Sequence, residues 1–215
     1  MTASADVHER VAADRRLAAD FFDELDDSQL DTPSLCAAWT VRQVLGHLVM
    51  PFAIGLPTLL LHTVRAGFSV DRGSAAIAGD LARRPVSELT SLLRERADEE
   101  IDAPVVGPMG QLSDACIHLR DCARPLGMPH DVPLADWYAV LDWLPSKQAS
   151  RGLVRRGLLE GLALRATDQD WSYGDGAEIA GASEALVLAV TGRSVVLDEL
   201  TGPGVTLLRD RLAPR

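Results

Sequence analysis

Ser113-Asp114-Ala115-Cys116-Ile117-His118-Leu119-Arg120-Asp121 (SDACIHLRD) sets a carboxylate, an imidazole and a second carboxylate at i, i+4 and i+7 among mostly apolar neighbours. Residues advance by about 100° each on an α-helix, so Asp114, His118, Asp121 and Pro125 fall within roughly 60° of one another. The period is helical, and the stripe has three readings: a solvated face, a satisfied core histidine, or part of a metal site. Downstream, the helix is expected to reach about Leu126, with Gly127 as its C-cap and Pro129 stopping any continuation.

Working outward, the same period recurs. Roughly Val7 to Leu30 alternates apolar and charged residues at helical spacing, ending in the polar loop DELDDSQLDTPS closed by Thr32-Pro33. Thr40 is a good N-cap with Gln43 three residues later, a capping-box spacing, and Trp39 is placed to staple onto the first turn. This helix is expected to run, kinked near Pro51 and Pro57, to about Ala66. FSVDRGSAAIAGDLARRP reads as a linker with little regular signal. Pro85 at N1 then opens the amphipathic VSELTSLLRERADEEI, and DAPVVGPMG is a loop. PLADWYAVLDWLPSKQASRG is one more helix. Four long helices predict a bundle over residues 1–150.

After about Arg151 the texture changes. GLLEGLALRATD and DWSYGDGAEIAG hold short apolar runs broken by Gly and Asp, the pattern of a strand pair or hairpin. ASEALVLAVTGR reads as a helix and GPGVTLLRDRL as a final short one. Residues 151–215 are thus expected to form a small α/β segment, too small to bury a core by itself. The fold class is mainly α.

With 47% hydrophobic and 24% charged residues, the 215-residue chain is globular in composition. A net charge of −10, from 31 acidic against 21 basic residues, disfavours phosphate backbones, so a nucleic-acid partner is not expected. RGLVRR, Arg151 to Arg156, is the nearest basic patch and reads as one exposed face. There is no uninterrupted apolar run of membrane-spanning length, and the N-terminal MTASADVHERVAADRR has no apolar signal region. Cys36, Cys116 and Cys122, without CxxC spacing, read as reduced thiols, with Cys116 and Cys122 turned away from the stripe. The expectation is a cytoplasmic protein without a membrane partner.

A histidine four residues beyond a carboxylate puts two ligands on one face. A catalytic zinc needs a third protein ligand and an open position. The best supply is His47, set among Val44, Leu45, Leu48 and Val49 on a different helix. Asp121 would then hold His118 or a partner helix rather than the ion. Taken singly, His47 is more often a satisfied core histidine, and Asp114 is equally an N-terminal-turn carboxylate. His8, His62 and His130 read as solvated, surface or loop positions.

CAAWTVRQVLGHL, SDACIHLRDCARPLG and TGRSVVLDELTGPGVTLLRDRL, in this order and spacing, resemble the maleylpyruvate isomerase family of mycothiol-dependent enzymes in the DinB-like superfamily. The resemblance runs over nearly the whole chain. It implies a DinB-like four-helix bundle holding a divalent metal, zinc, through His, carboxylate and His, here His47, Asp114 and His118. It also implies a small sterol-carrier-like C-terminal appendage, mycothiol as thiol cosubstrate, and a small electrophilic substrate. A metal-bound thiolate would be the nucleophile, in an isomerase or an S-transferase. Arg124 and Arg120 are candidate anion partners for the thiol or a carboxylate substrate. The chain departs from the family's best-known isomerases in having Asp114 where they carry Glu, in Gln43 where relatives commonly carry an acid, and in a short C-terminal part. A non-enzymatic metal- or small-ligand-binding bundle that kept the scaffold and lost the reaction is therefore the alternative. Monomer and homodimer both stay open.

Overall fold

The structure is a computed structural model that describes residues 3–36, 39–101, 106–129 and 132–213. Asp102 to Val105 of the expected Pro/Gly loop, and His130, lie outside the described residues. By contact the chain forms two compact units: Met1–Ile101 with Asp114–Asp131, and Asp102–Ser113 with Val132–Arg215.

The first unit is helical. α1 (Ala3–Asp23) ends where the expected polar loop begins, and inside that loop Asp26 caps the short α2 (Asp27–Leu30). α3 (Val41–Ala53) starts as the sequence predicts: the Thr40 hydroxyl accepts from the Gln43 amide and the Gln43 side chain accepts from the Thr40 amide. It does not run to Ala66. Pro57 cannot tolerate a helical carbonyl four residues earlier, at Ala53, and the chain extends at Ile54 and Gly55 before α4 (Leu56–Arg65) begins.

The largest correction is α5 (Val70–Leu81), a helix where the sequence suggested a linker. Its glycines and alanines make a weak pattern, but Ser69 caps it by accepting from the Arg72 amide. Gly73, Ile77, Ala78 and Leu81 form its buried face, packed on α3 and α4. Small residues permit a close approach: a Cβ on Gly46 of α3 would lie 2.4 Å from the Ala78 carbonyl oxygen. α6 (Val86–Glu95) packs on α1 and α3, as its Leu89 and Leu93 stripe requires.

α7 (Gly107–Ala123) carries the opening stretch, and from Asp114 onward it belongs to this unit. Regular helix ends at Ala123, but the capping read from sequence is present. Gly127 is left-handed at φ 62°, Met128 N–H bonds the Ala123 carbonyl at 3.0 Å and Gly127 N–H the Arg124 carbonyl at 3.1 Å. That 6→1 and 5→2 pair closes the last turn.

In the second unit, α8 (Leu134–Trp143) packs on a later helix; the sequence had grouped it with 1–150. β1 (Leu162–Ala166) lies between β2 (Ser172–Tyr173), antiparallel, and β3 (Ala177–Gly181), parallel. The expected strand pair is there, and DWSYGDGAEIAG supplies two strands rather than one. α9 (Ser183–Val190) is almost wholly buried, its first amide capped by the Asp168 carboxylate at 3.0 Å. α10 (Gly204–Leu212) closes the unit against β3.

Candidate metal centre

Two elements of the first unit present the stripe's partners. α3, fixed by its capping box, places His47 two turns into the helix, with the ring 16% exposed. α7 places Asp114 and His118 one turn apart, with Asp114 37% exposed and His118 10%. His47 Nε2 lies 3.3 Å from Asp114 Oδ2, and His118 Nε2 lies 3.3 Å from Asp114 Oδ1. The two imidazoles meet edge to face at 4.9 Å. One ligand atom from each of His47, Asp114 and His118 falls within 4.8 Å of the others.

Each imidazole is held at its far nitrogen. His118 Nδ1 donates to Asp121 Oδ2 at 2.9 Å, and Asp121 is fully buried. His47 Nδ1 lies 3.3 Å from the Ser74 hydroxyl, which in turn lies 3.7 Å from Met50 Sδ. Trp39 covers both rings, 4.9 Å from His47 and 6.0 Å from His118. The stripe is therefore not a solvated face, because His118 and Asp121 are buried.

The electrostatics follow from this convergence. Burial pushes the Asp114 carboxyl up, but the charges of His47 and then His118, with their hydrogen bonds, outweigh it and hold the group well below the usual carboxylate range. Burial likewise disfavours the His118 imidazolium, yet Asp114, with the hydrogen bonds to Asp114 and Asp121, raises it to about 9. A doubly protonated His118 bridges two carboxylates, and a bound cation can take over the charge that its Nε2 proton supplies.

The donor set fits a zinc-like ion. Two atoms each bonded at 2.0–2.1 Å to one tetrahedral ion lie ~3.3 Å apart, and the two Nε2···carboxylate distances are both 3.3 Å. Two imidazoles and one carboxylate are a catalytic-type zinc set with a position left open. Asp121 behind His118 is the usual carboxylate–histidine arrangement around such ions.

Other sequence candidates fall elsewhere. Arg124 is half-buried in the turn after α7, and Arg120 is half-buried on α7. His62 lies in α4, half-buried, rather than in a loop. Cys116 and Cys122 are buried, Cys116 donating to Asp14 at 3.2 Å. Sequence reasoning assigned Ser74, Trp39 and Cys36 no part in the site. Trp39 beside a capping box was visible as a staple; nothing local marked Ser74.

Two histidines and a carboxylate brought together from two helices of a helical unit define, by chemistry, a protein with a candidate metal centre. Residues 11–123 match the family described as mycothiol maleylpyruvate isomerase N-terminal domain, and the chain belongs to that family. Two solved structures share the fold: the mycothiol-dependent maleylpyruvate isomerase, and a variant of it with a histidine replaced by alanine. Each is 18% identical, with a TM-score of 0.59 over 94% of this chain and 96% of that one. Among curated proteins, none matches the sequence significantly. No described helix is long and apolar enough to cross a membrane.

Proposed function

We propose that the protein is a metal-dependent enzyme that uses a low-molecular-weight thiol, mycothiol, on a small electrophilic substrate. The thiol is either added and eliminated in an isomerisation or retained in an S-transfer product. The observation that carries this reading is the convergence of His47 Nε2, the Asp114 carboxylate and His118 Nε2 from two helices. Membership of a family named for a mycothiol-dependent isomerase supports the choice of thiol.

His47, Asp114 and His118 would hold the ion. A divalent ion such as zinc supplies Lewis acidity there, lowering the pKa of a thiol that reaches its open position. Ser74 and Asp121 fix the ring orientations, so that both Nε2 atoms point inward. Asp114 is the most exposed of the three, and Trp39 packs against both imidazoles. Arg124 is our candidate for the anionic groups of thiol or substrate. The shorter Asp114 still reaches both imidazoles, so its departure from Glu does not break the set.

Zinc-loaded protein, given mycothiol and a panel of small electrophiles including cis-configured unsaturated acids, should consume thiol or convert cis to trans at a metal-dependent rate. Metal bound with no thiol-dependent turnover on any of them would support the binding-bundle alternative instead.

A further inference from the structure

The outer edge of His118 faces a second set of donors. Cys36 Sγ, a His118 ring nitrogen and an Asp121 carboxylate oxygen lie within 4.8 Å of one another. Cys36 is half-buried, so it is reachable, whereas Cys122 is fully buried and Cys116 is bonded to Asp14. The loop bearing Cys36 is pinned in place. Leu35 N–H donates to the Asp121 carbonyl at 2.9 Å, and Cys36 N–H donates to the Ser34 hydroxyl at 3.2 Å. Ser34 in turn donates to the Trp39 carbonyl at 2.9 Å.

We propose that Cys36, His118 and Asp121 form a second metal site, suited to thiophilic divalent ions such as Cd²⁺, that shares His118 with the first set. The sharing, though not the site, rests on the metal reading of His47, Asp114 and His118. A thiolate, an imidazole and a carboxylate together favour soft and borderline ions over Mg²⁺ or Ca²⁺. The ion replaces the Cys36 thiol proton and the His118 Nδ1 proton, both released to solvent. Nε2–H then stays on the ring and remains hydrogen-bonded to Asp114. Because a neutral imidazole offers one lone pair, His118 serves one set at a time. The deep burial of Asp121 gives a dication here two anionic partners in a medium of low dielectric.

Titrating metal-free protein with Cd²⁺ should produce the ultraviolet charge-transfer band of a cadmium thiolate. His47→Ala, which disables only the first set, should keep the band, and Cys36→Ser should lose it. The wild type should bind one cadmium in total, not two. Cadmium should also protect wild-type Cys36 from iodoacetamide, read by peptide mass, a measurement that needs no variant to fold. A missing band in the wild type, a band retained in Cys36→Ser, or unprotected Cys36 would overturn the site; two ions per chain would overturn the sharing. Failure of the first reading shows separately, as the absence of zinc binding in Cys36→Ser, which leaves His47, Asp114 and His118 in place.

Discussion

At the scale of single residues, the centre depends on which nitrogen of each imidazole carries a proton. Ser74 has one hydroxyl hydrogen. With that hydrogen directed to Met50 Sδ, the oxygen accepts from His47 Nδ1–H, leaving the Nε2 lone pair toward Asp114. Asp121 does the same for His118 with a stronger, charged acceptor. Ser74→Ala should therefore weaken zinc binding by about 10- to 100-fold, the usual consequence of losing a partner behind a ligating histidine. Competition with a chromogenic chelator reads it; unchanged affinity in the folded variant would remove Ser74 from the site. The Asp114–His118 pair was legible because i, i+4 spacing on one helix is a local fact. Ser74 and Cys36 were not, because each meets its histidine across a long stretch of chain.

At the scale of elements, caps were the reliable signal and small residues the unreliable one. Thr40 with Gln43, and Gly127, act where the sequence put them. α5 was missed because glycine and alanine carry little amphipathic contrast, yet their smallness is what lets α3 and α5 approach and brings Ser74 to His47. Gly46→Ala isolates this. Helix propensity favours alanine by about 1 kcal/mol. Against that, the new Cβ meets the Ala78 carbonyl oxygen at 2.4 Å and the Ala82 nitrogen at 3.1 Å, both backbone. Forcing such a contact costs about 1–3 kcal/mol. The clash should win, so the denaturant midpoint should fall; a midpoint that rises would mean α5 moves away at no cost.

At the scale of the whole molecule, the helical class and the late strands were readable, since period and turn residues are local properties. The contact grouping is a different matter: α7 contributes residues to both units. Long-range packing decides that, and one sequence does not display it. The metal claim, by contrast, lies within the first unit, where all three proposed ligands and both supporting groups belong. Its most direct test is calorimetric titration of metal-free wild-type protein with zinc, set beside His47→Ala and His118→Ala, each combined with Cys36→Ser to remove the thiolate site. One tight ion per wild-type chain, with heat and affinity lost in both folded variants, is the expected result. Zinc bound equally well by either folded variant, or not at all by the wild type, would contradict the assignment of His47, Asp114 and His118 as ligands.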